Sequence, residues 1–589
     1  MSGLSIAPIP LSKPLCRAHP ADIIKNIGSS DLRGLNVVFI NMPLRETAIP
    51  NVTPQGPLLL ATNLWQNYGV YATVIDLNAY RIKDKIAEKQ GLKNGRHLTY
   101  DEALELINRH FEVHGEPDLI GLSGKITTLC WQEKIAKMVR IMLPKVFLVS
   151  GNGLATELKL GLLNYIPELD GVARSEGDDV IVKIAYDAKI IKEMGLTDAA
   201  NAGKLAPYYV GEINNRPRFL YEGDRPRNLD AIPFADLDLL KEDVFGNRIL
   251  EYYIGNPIWG VSANNSSAAS FTMSRSTTFV SSRGCPYACA FCYRGAQGER
   301  NYGMRSAQNL ADEFRAHIKK YDVDFIGMPD DNFAVDYQRI AEMVPLLKPL
   351  NIRWGTHTRL DESAGLKPKP RSAGEYIFEN PKRVDLMAEA GCIYIGFGAE
   401  SASPDVLKAM QKGGFILKNG LMDVRVDGKT YQFPRTMIEG IKNCENAGIH
   451  ANCTWIMAYP TETLADLKIS VAFIKWQEDF YSSCGKSLDS VNKRMFTATW
   501  YPGTEMLHHS KVKQTLQDVF GISFDSGTGE PVCDENFHQY VLELDDATKI
   551  LYNPRTGEPL NFGDMPTNTF LKAREYVDTG QTFKILEMQ

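Results

Sequence analysis

The chain has no long apolar run and no excess of positive charge, and both absences argue against whole classes of protein. None of its apolar stretches reaches the roughly 20 residues that cross a bilayer as a helix, so we expect no membrane span. The first residues lack the charged and apolar regions of a signal peptide, which predicts a cytoplasmic protein. Lys and Arg total 65 against 71 Asp and Glu, and the formal net charge of −6 argues against a nucleic-acid partner.

Cysteine and histidine are also scarce where metal sites usually need them. Only 10 cysteines occur among 589 residues, and outside one group no two of them form a C-x2-C pair. No histidine occurs between His114 and His317. A structural zinc site takes four cysteine or histidine ligands, so this pattern argues against one. The length allows about three or four domains, and 44% hydrophobic with 23% charged residues is typical of globular protein.

The exception to this scarcity is the segment 282–292, where three cysteines have the spacing C-x3-C-x2-C. Cys285, Cys289 and Cys292 follow residues 277–280, whose apolar and β-branched side chains predict a buried strand. A loop leaving a strand end can turn three thiols toward one point, and thiolates are the ligands of iron–sulfur clusters. Three cysteines on a four-iron cluster leave one iron open for a small molecule. A disulfide would not use three cysteines evenly.

The spacing, with an aromatic residue before the last cysteine, resembles the signature of the radical S-adenosylmethionine (SAM) superfamily. In that superfamily the cysteines hold a [4Fe-4S] cluster and SAM chelates the open iron. The resemblance therefore implies that Cys285, Cys289 and Cys292 are the cluster ligands and that SAM is bound beside them. Families with auxiliary clusters carry further cysteine groups that this chain lacks, so a single cluster is expected.

The same resemblance implies a SAM site. Glu400 and Ser401 match the strand-four position that binds the SAM ribose, where a carboxylate accepts both hydroxyl protons. Arg359 matches a position near the SAM carboxylate, to which a guanidinium fork is suited, and the backbone of Phe291 matches the position that binds adenine. Taken singly, Glu400 would also suit a helix cap and Arg359 a surface ion pair. Residues 459–463 stand where the family usually has Gly-x-Pro-Gly-Glu-Thr, so that loop departs from the pattern.

Six strand–helix units predict an open, partial (β/α)6 barrel over residues 273–510 instead of the closed eight. The strands are predicted at residues 277–280, 323–328, 352–359, 392–398, 453–458 and 495–500. Polar residues follow each strand, and chemistry in such barrels gathers at the carboxyl ends of the strands. Insertions at 361–380 and 413–434 lengthen two loops, and the second is predicted to be a hairpin that turns at Asp427-Gly428.

An alternation of strands and helices over residues 34–204 predicts an α/β domain with a doubly wound parallel sheet. The strands are predicted at residues 36–41, 70–77, 118–123, 146–150 and 171–174. Ligands of such sheets bind beyond the carboxyl ends of the strands. An N-terminal extension (1–33), a connector (205–272) and a region that caps the barrel (511–589) complete the expected organisation.

Four segments at those strand ends resemble the cobalamin-binding domain that precedes the radical SAM barrel in one subclass. Small residues and hydroxyls there suit a corrin, which needs close backbone approach and hydrogen-bond donors. The resemblance implies cobalamin contacts at Pro54, Gln55, Ser123, Thr127, Thr128, Ser150, Gly151, Asn152, Gly153 and Glu176. The Asp-x-His-x-x-Gly loop of other cobalamin proteins is absent, so no histidine ligand to cobalt is expected. The alternative is a flavodoxin-like domain that has lost its ligand.

Residues 35 to 505 together resemble a cobalamin-dependent radical SAM enzyme. The resemblance implies a methyltransferase that moves a methyl group from SAM, through methylcobalamin, to an unactivated carbon or other poorly nucleophilic atom of a small molecule or natural-product intermediate. A flavodoxin- or ferredoxin-type donor would reduce the cluster. Two alternatives stay open: a radical SAM oxidative cyclase or oxidoreductase with the same domains, and a nonenzymatic iron–sulfur electron carrier, which would not need Glu400 or Arg359.

Overall fold

A computed structural model describes residues 18–43, 52–80, 98–205, 208–255, 273–293, 302–368, 376–544 and 550–589. These residues divide into two units. Of the described residues, the first unit contains those up to Tyr253 and those in Gly521–Asp545, and the second unit contains the others. In the part of the chain that the structure describes, no helix combines the length and the apolar character needed to cross a membrane.

The first unit is built on a seven-stranded sheet. Its strands are β1 (Asn36–Asn41), β2 (Tyr71–Asp76), β3 (Leu119–Ser123), β4 (Phe147–Gly151), β5 (Gly171–Arg174), β6 (Tyr209–Ile213) and β7 (Arg216–Glu222). Their order is β2-β1-β3-β4-β5-β7-β6, and all neighbours are parallel except β6 and β7. The five predicted strands and their parallel arrangement are confirmed.

The central strands contain runs of buried residues because both faces of a doubly wound sheet are covered. Residues 37–40 of β1 are at most 3% exposed. Phe39 lies opposite Gly121 of β3, and a side chain at Gly121 would place its Cβ only 2.7 Å from the Phe39 ring. The absence of a side chain at this one position therefore makes room for the ring.

The sheet extends beyond the predicted domain boundary at residue 204. Strands β6 and β7 fall within the predicted connector, but β7 pairs with β5 and β6 pairs with β7, which adds two strands to the sheet. Pro217 and the charged residues around it are unusual in a buried strand, so the sequence pattern did not predict β7. Arg218 is nevertheless 1% exposed, because its guanidinium donates to the backbone carbonyls of Arg216, Pro217 and Pro167. Residues 256–272 of the predicted connector lie outside the described residues.

The helices of the first unit alternate with its strands. Residues 1–17 of the predicted extension lie outside the described residues, and residues 18–33 contain two short helices. The helix after β1 ends at Gly69 in the left-handed conformation (φ 65°), as its sequence predicts. The helices are α1 (Pro20–Ile24), α2 (Ser29–Leu32), α3 (Gln55–Tyr68), α4 (Tyr100–His114), α5 (Leu129–Met142), α6 (Asn152–Leu158), α7 (Leu160–Tyr165), α8 (Val180–Met194), α9 (Leu196–Asn201) and α10 (Ile249–Ile254).

The second unit contains a six-stranded sheet in which every neighbouring pair is parallel. In chain order the unit contains β8 (Ser276–Thr278), β9 (Ser282–Arg283), β10 (Gly303–Met304), β11 (Phe325–Met328), β12 (Arg353–Arg359), β13 (Leu366–Pro368), β14 (Tyr376–Phe378), β15 (Cys392–Glu400), β16 (Leu421–Val426), β17 (Lys429–Pro434), β18 (His450–Met457) and β19 (Phe496–Thr497). The sheet order is β19-β18-β15-β12-β11-β8, which confirms the six predicted units of a partial barrel.

Helices connect these strands. They are α11 (Ala307–Tyr321), α12 (Tyr337–Leu347), α13 (Arg383–Glu389), α14 (Pro404–Ala409), α15 (Gly413–Lys418), α16 (Arg435–Asn446), α17 (Leu464–Ser483) and α18 (Ser510–Phe520). The insertion at 413–434 contains α15 and the predicted hairpin, with β16 antiparallel to β17. The insertion at 361–380 contains the ribbon β13–β14, and its residues 369–375 lie outside the described residues.

The region 511–589 does not form one cap on the barrel. Its middle part, with helix α19 (Glu535–Glu543), belongs to the first unit, where His538 pairs with Glu133 and the Tyr165 hydroxyl donates to the Asp534 carbonyl at 3.2 Å. Residues 550–589, with helix α20 (Thr567–Asp578), belong to the second unit. The division follows from contacts with residues hundreds of positions earlier, which no local pattern signals.

Candidate functional site

The three cysteines lie on the loop that leaves β8 and β9 in the second unit. Cys289 is buried, and Cys285 and Cys292 are partly exposed. Both ends of the loop are held. The amide of Ser281 donates to Asp330 at 2.8 Å, and Ala290 donates to the Met410 carbonyl at 2.9 Å. The loop is therefore anchored to the residues that follow β11 and to the residue that follows helix α14.

The chemistry of the thiols fits an iron–sulfur cluster. Burial raises the pKa of Cys285, and it raises the pKa of Cys292 to about 12. Iron binds the thiolate form of cysteine, and its coordination would offset the free-energy cost of burying that charge. Within the described residues, no three Cys, His, Asp or Glu side chains converge as the ligands of a single ion do. The cysteines of one [4Fe-4S] cluster each bind a different iron, so such convergence is not required of them.

Arg359, at the end of β12, contacts the cysteine loop directly. One of its Nη1 hydrogens points to the Cys289 sulfur, with Nη1 and Sγ 3.6 Å apart. Its Nε and Nη2 atoms each lie 3.0 Å from an oxygen of Asp361, and Nη2 also donates to the Lys412 carbonyl. The guanidinium lies over the Tyr287 ring, 4.0 Å from its centroid. These anionic and aromatic neighbours raise the pKa of Arg359, so it stays charged although it is 6% exposed.

Glu400 ends β15 in a left-handed backbone conformation, with φ at 65°. Its Oε1 lies 3.3 Å from the Nζ of Lys412, and both side chains are largely buried. Gly398 allows this arrangement, since a Cβ there would lie 2.3 Å from Oε1. Ser401 is fully buried and its hydroxyl forms a hydrogen bond with that of Ser470, so it supports the turn after β15.

A cavity of about 260 Å³ lies beside Glu400. Phe291 and Tyr459 meet in it edge to face, with ring centroids 6.4 Å apart. Its lining is largely apolar, with three threonine hydroxyls. Trp354, on the neighbouring strand β12, is buried in the core, and its indole N–H donates to the Ala390 carbonyl. The cavity is lined by Phe291, Glu400, Thr454, Ile456, Tyr459, Phe496, Thr497, Ala498, Thr499, Tyr501 and Met506.

The loop after β18 has positive φ angles at the positions where the family pattern has glycine. Ala458 and Thr461 occupy the two glycine positions of Gly-x-Pro-Gly-Glu-Thr, and both have positive φ, at 61° and 77°. Glu462 follows them, fully buried, with one carboxylate oxygen on the Ala458 amide. Burial raises the pKa of Glu462 to about 8. The departure from the family pattern is therefore in side chains and not in backbone shape.

Sequence reasoning missed several buried polar residues around the cysteine loop. Tyr287 donates to Glu362 at 3.0 Å, and Glu362 also accepts from Asn332 and Thr358. Burial raises the pKa of Glu362. Glu362 and Asp361 follow Arg359 closely in the chain, which is the only signal that could have pointed to them. Lys412 gave no sequence signal.

In the first unit, the predicted cobalamin residues lie at the carboxyl ends of the strands. Ser123, at the end of β3, accepts a hydrogen bond of 3.1 Å from the side-chain amide of Asn152, which follows β4. Asn152 has φ at 71° and is exposed, and Gly151 and Gly153 on either side are half-buried. Thr127 is half-buried in the turn after β3. The structure thus brings two of the four predicted segments into direct contact.

Other predicted cobalamin residues have partners within the protein. Ser150 is fully buried with its hydroxyl on Gln132, and the Thr128 hydroxyl donates to a backbone carbonyl. Glu176 forms an ion pair of 2.7 Å with Arg225. Pro54 is buried immediately before helix α3, and Gln55 begins that helix. These residues shape the strand ends, while the segment 151–153 offers exposed backbone.

Residues 279–474 match the Radical SAM superfamily. An uncharacterized methyltransferase of Pyrococcus horikoshii is 23% identical over 492 residues, which are 81% of this chain and 84% of that protein. The cytidylyl-2-hydroxyethylphosphonate methyltransferase of Streptomyces wedmorensis is 27% identical over 66% of this chain and 70% of its own length. The anaerobic magnesium-protoporphyrin IX monomethyl ester cyclase of Rubrivivax gelatinosus is 23% identical over 52% of this chain and 47% of that enzyme.

Solved structures with the same fold carry both domains. The cobalamin-dependent SAM radical enzyme OxsB, with aqua-cobalamin and SAM bound, superposes with a TM-score of 0.58 at 16% identity over 93% of this chain and 67% of that one. The radical SAM methyltransferase TsrM from Kitasatospora setae, with tryptophan and a SAM analogue bound, superposes with a TM-score of 0.54 at 15% identity over 93% and 89%. At these identities the similarity shows the fold.

Proposed function

Because residues 279–474 form a radical SAM domain, we propose that the protein is a cobalamin-dependent radical SAM methyltransferase acting on a small molecule. The observation that carries the proposal is that Phe291, next to the last cysteine, and Glu400 line one cavity of about 260 Å³. A carrier of electrons would need no such cavity beside its cluster. The methyltransferase relative that covers 81% of the chain supports the reaction type.

Each side chain of this site has a role that its surroundings allow. Cys285, Cys289 and Cys292 hold a [4Fe-4S] cluster, which when bound supplies the electron that cleaves the SAM sulfonium. Glu400 accepts hydrogen bonds from the ribose hydroxyls, and its pairing with Lys412 orients the carboxylate.

The rest of the cavity excludes water and binds the adenine. Its apolar lining gives the adenine ring a surface from which water is excluded, and Tyr459 packs against Phe291. The Thr497 hydroxyl can donate a hydrogen bond to a ring nitrogen. The hydroxyls of Thr454 and Thr499 donate to backbone carbonyls and can accept from the adenine amino group.

The strand ends of the first unit are the proposed cobalamin site. Bound cobalamin supplies the methyl carrier, and Gly151, Asn152 and Gly153 let the backbone approach a corrin closely. The hydrogen bond from Asn152 to Ser123 fixes the two strand ends relative to each other. A flavodoxin- or ferredoxin-type protein is the proposed electron donor.

The test is anaerobic reconstitution followed by turnover with SAM carrying a deuterated methyl group. We expect bound iron, sulfide and cobalamin, then S-adenosylhomocysteine and 5′-deoxyadenosine when a low-potential reductant is added. A metabolite extract from a strain lacking the gene supplies candidate substrates, and the product must carry the label. The Cys289→Ala variant should lose the cluster and both SAM-derived products, and retained cobalamin shows that the first unit is intact.

The cyclase alternative makes a different prediction in the same experiment. The cyclase relatives match about half of this chain, and an enzyme of that type forms 5′-deoxyadenosine without moving the labelled methyl group to a product. A protein that binds iron but neither binds nor consumes SAM would be an electron carrier. A protein that binds no iron after reconstitution would contradict the proposal altogether.

A further inference from the structure

We propose that Arg359 sets the reduction potential of the cluster through its N–H group on Cys289. Reduction adds one electron, and hence one negative charge, to the cluster and its thiolates, while no bond breaks. An N–H donor and a fixed positive charge at a ligand sulfur stabilise that added charge, and hydrogen bonds to the sulfurs are among the determinants of cluster potential. The inference rests on the proposed function, because it presupposes that Cys289 binds the cluster.

The contacts of Arg359 orient its guanidinium toward Cys289. Three of its contacts, two with Asp361 and one with the Lys412 carbonyl, fix the plane of the guanidinium. The remaining nitrogen, Nη1, then points at the Cys289 sulfur at 3.6 Å. Arg359 and Cys289 are 6% and 8% exposed, so water neither competes strongly for the N–H nor screens the charge.

Asp361 opposes Arg359 in charge and lies on its far side. It is fully buried and binds the Nε and Nη2 atoms, while Nη1 contacts the sulfur. The pair therefore presents its positive end to Cys289 and its negative end away from it. Removing the positive member and removing the negative member should move the potential in opposite directions, which general loosening of the site would not do.

The experiment is a redox titration of the reconstituted protein, followed by the electron paramagnetic resonance signal of the reduced cluster, without SAM. We expect Arg359→Gln to shift the midpoint to more negative potential and Asp361→Asn to shift it to more positive potential. The double variant, Arg359→Gln with Asp361→Asn, leaves no unpaired buried charge, and we expect it also to be more negative than the wild type. Arg353→Gln is the matched control, because Arg353 begins the same strand and pairs with Asp324 in a partly exposed ion pair.

The outcomes separate this inference from the proposed function. A wild-type protein that forms no cluster overturns both. A wild-type cluster with unchanged midpoints in the Arg359 variants, or with all variants shifted in one direction, overturns this inference alone. Loss of the cluster from both the single and the double Arg359 variant, with Arg353→Gln intact, also overturns it, because Arg359 would then be needed to build the loop.

Discussion

Replacement of Lys412 by methionine is expected to weaken SAM binding without removing the cluster. Lys412 and Glu400 are 5% and 11% exposed and form an ion pair of 3.3 Å. Glu400 also has a positive φ of 65°, a conformation that costs on the order of 1–3 kcal/mol in a residue other than glycine. Without Lys412, the buried carboxylate loses its charged partner and is expected to turn away from the cavity.

The size of the effect follows from the hydrogen bonds that Glu400 would lose. Hydrogen bonds to a charged group contribute about 1.5–3 kcal/mol, and each 1.4 kcal/mol is about tenfold in affinity. We therefore expect Lys412→Met to raise the dissociation constant for SAM by about 10- to 100-fold. Lys412→Arg keeps the charge and should recover much of the affinity, which a role in packing alone would not explain.

The measurement is isothermal titration of the reconstituted, oxidised protein with SAM under anaerobic conditions. Lys408→Met is the control, because Lys408 lies in the preceding helix and its pair with Asp405 is 67% and 83% exposed. Such surface pairs contribute about 0–1 kcal/mol. If Lys412→Met retains full iron content and binds SAM as the wild type does, the role given to the Lys412–Glu400 pair is wrong.

Three further predictions concern stability. Gly121→Ala should lower the free energy of unfolding by about 1–3 kcal/mol, because its Cβ would lie 2.7 Å from the Phe39 ring; Gly56→Ala, with open space around it, should be neutral or stabilising in denaturant titrations. Burial raises the pKa of Glu462 to about 8 in the folded protein, whereas the carboxyl has its ordinary pKa of 4.5 in the unfolded chain. The protonated side chain therefore stabilises the folded state fully below pH 4.5, and this stabilisation is lost as the pH rises to 8. Glu462→Gln should therefore flatten the decline of melting temperature over that window, and an unchanged decline would contradict the assignment. Thr461→Gly should raise the melting temperature slightly, since glycine adopts the φ of 77° without the roughly 1–2 kcal/mol cost of a left-handed residue; a lower melting temperature would show that the threonine side chain makes contacts that outweigh this cost.

Local sequence patterns were sufficient to predict those parts of the structure that depend on residues close together in the chain. Both sheets were predicted because apolar runs of strand length alternate with amphipathic helices. The Asp427-Gly428 turn was predicted from its two residues. The turn at residues 552–559 shows that a short local sequence can determine a turn's backbone conformation. The segment 524–531 has a similar sequence, and both turns close with the same backbone hydrogen bond, Asp525 to Glu530 at 2.8 Å and Asn553 to Glu558 at 2.9 Å.

Hydrophobic periodicity and ligand spacing are local properties, so the sequence was enough to predict the two folds, their order and the three thiols of the cysteine loop. Three features became visible only in the folded chain: Arg359 contacts Cys289, Lys412 pairs with Glu400, and β7 joins the first sheet. The first of these contacts joins residues 70 positions apart. The orientation of a guanidinium or a carboxylate depends on partners that the chain brings together only when the sheet has formed, so no pattern in the sequence could specify it.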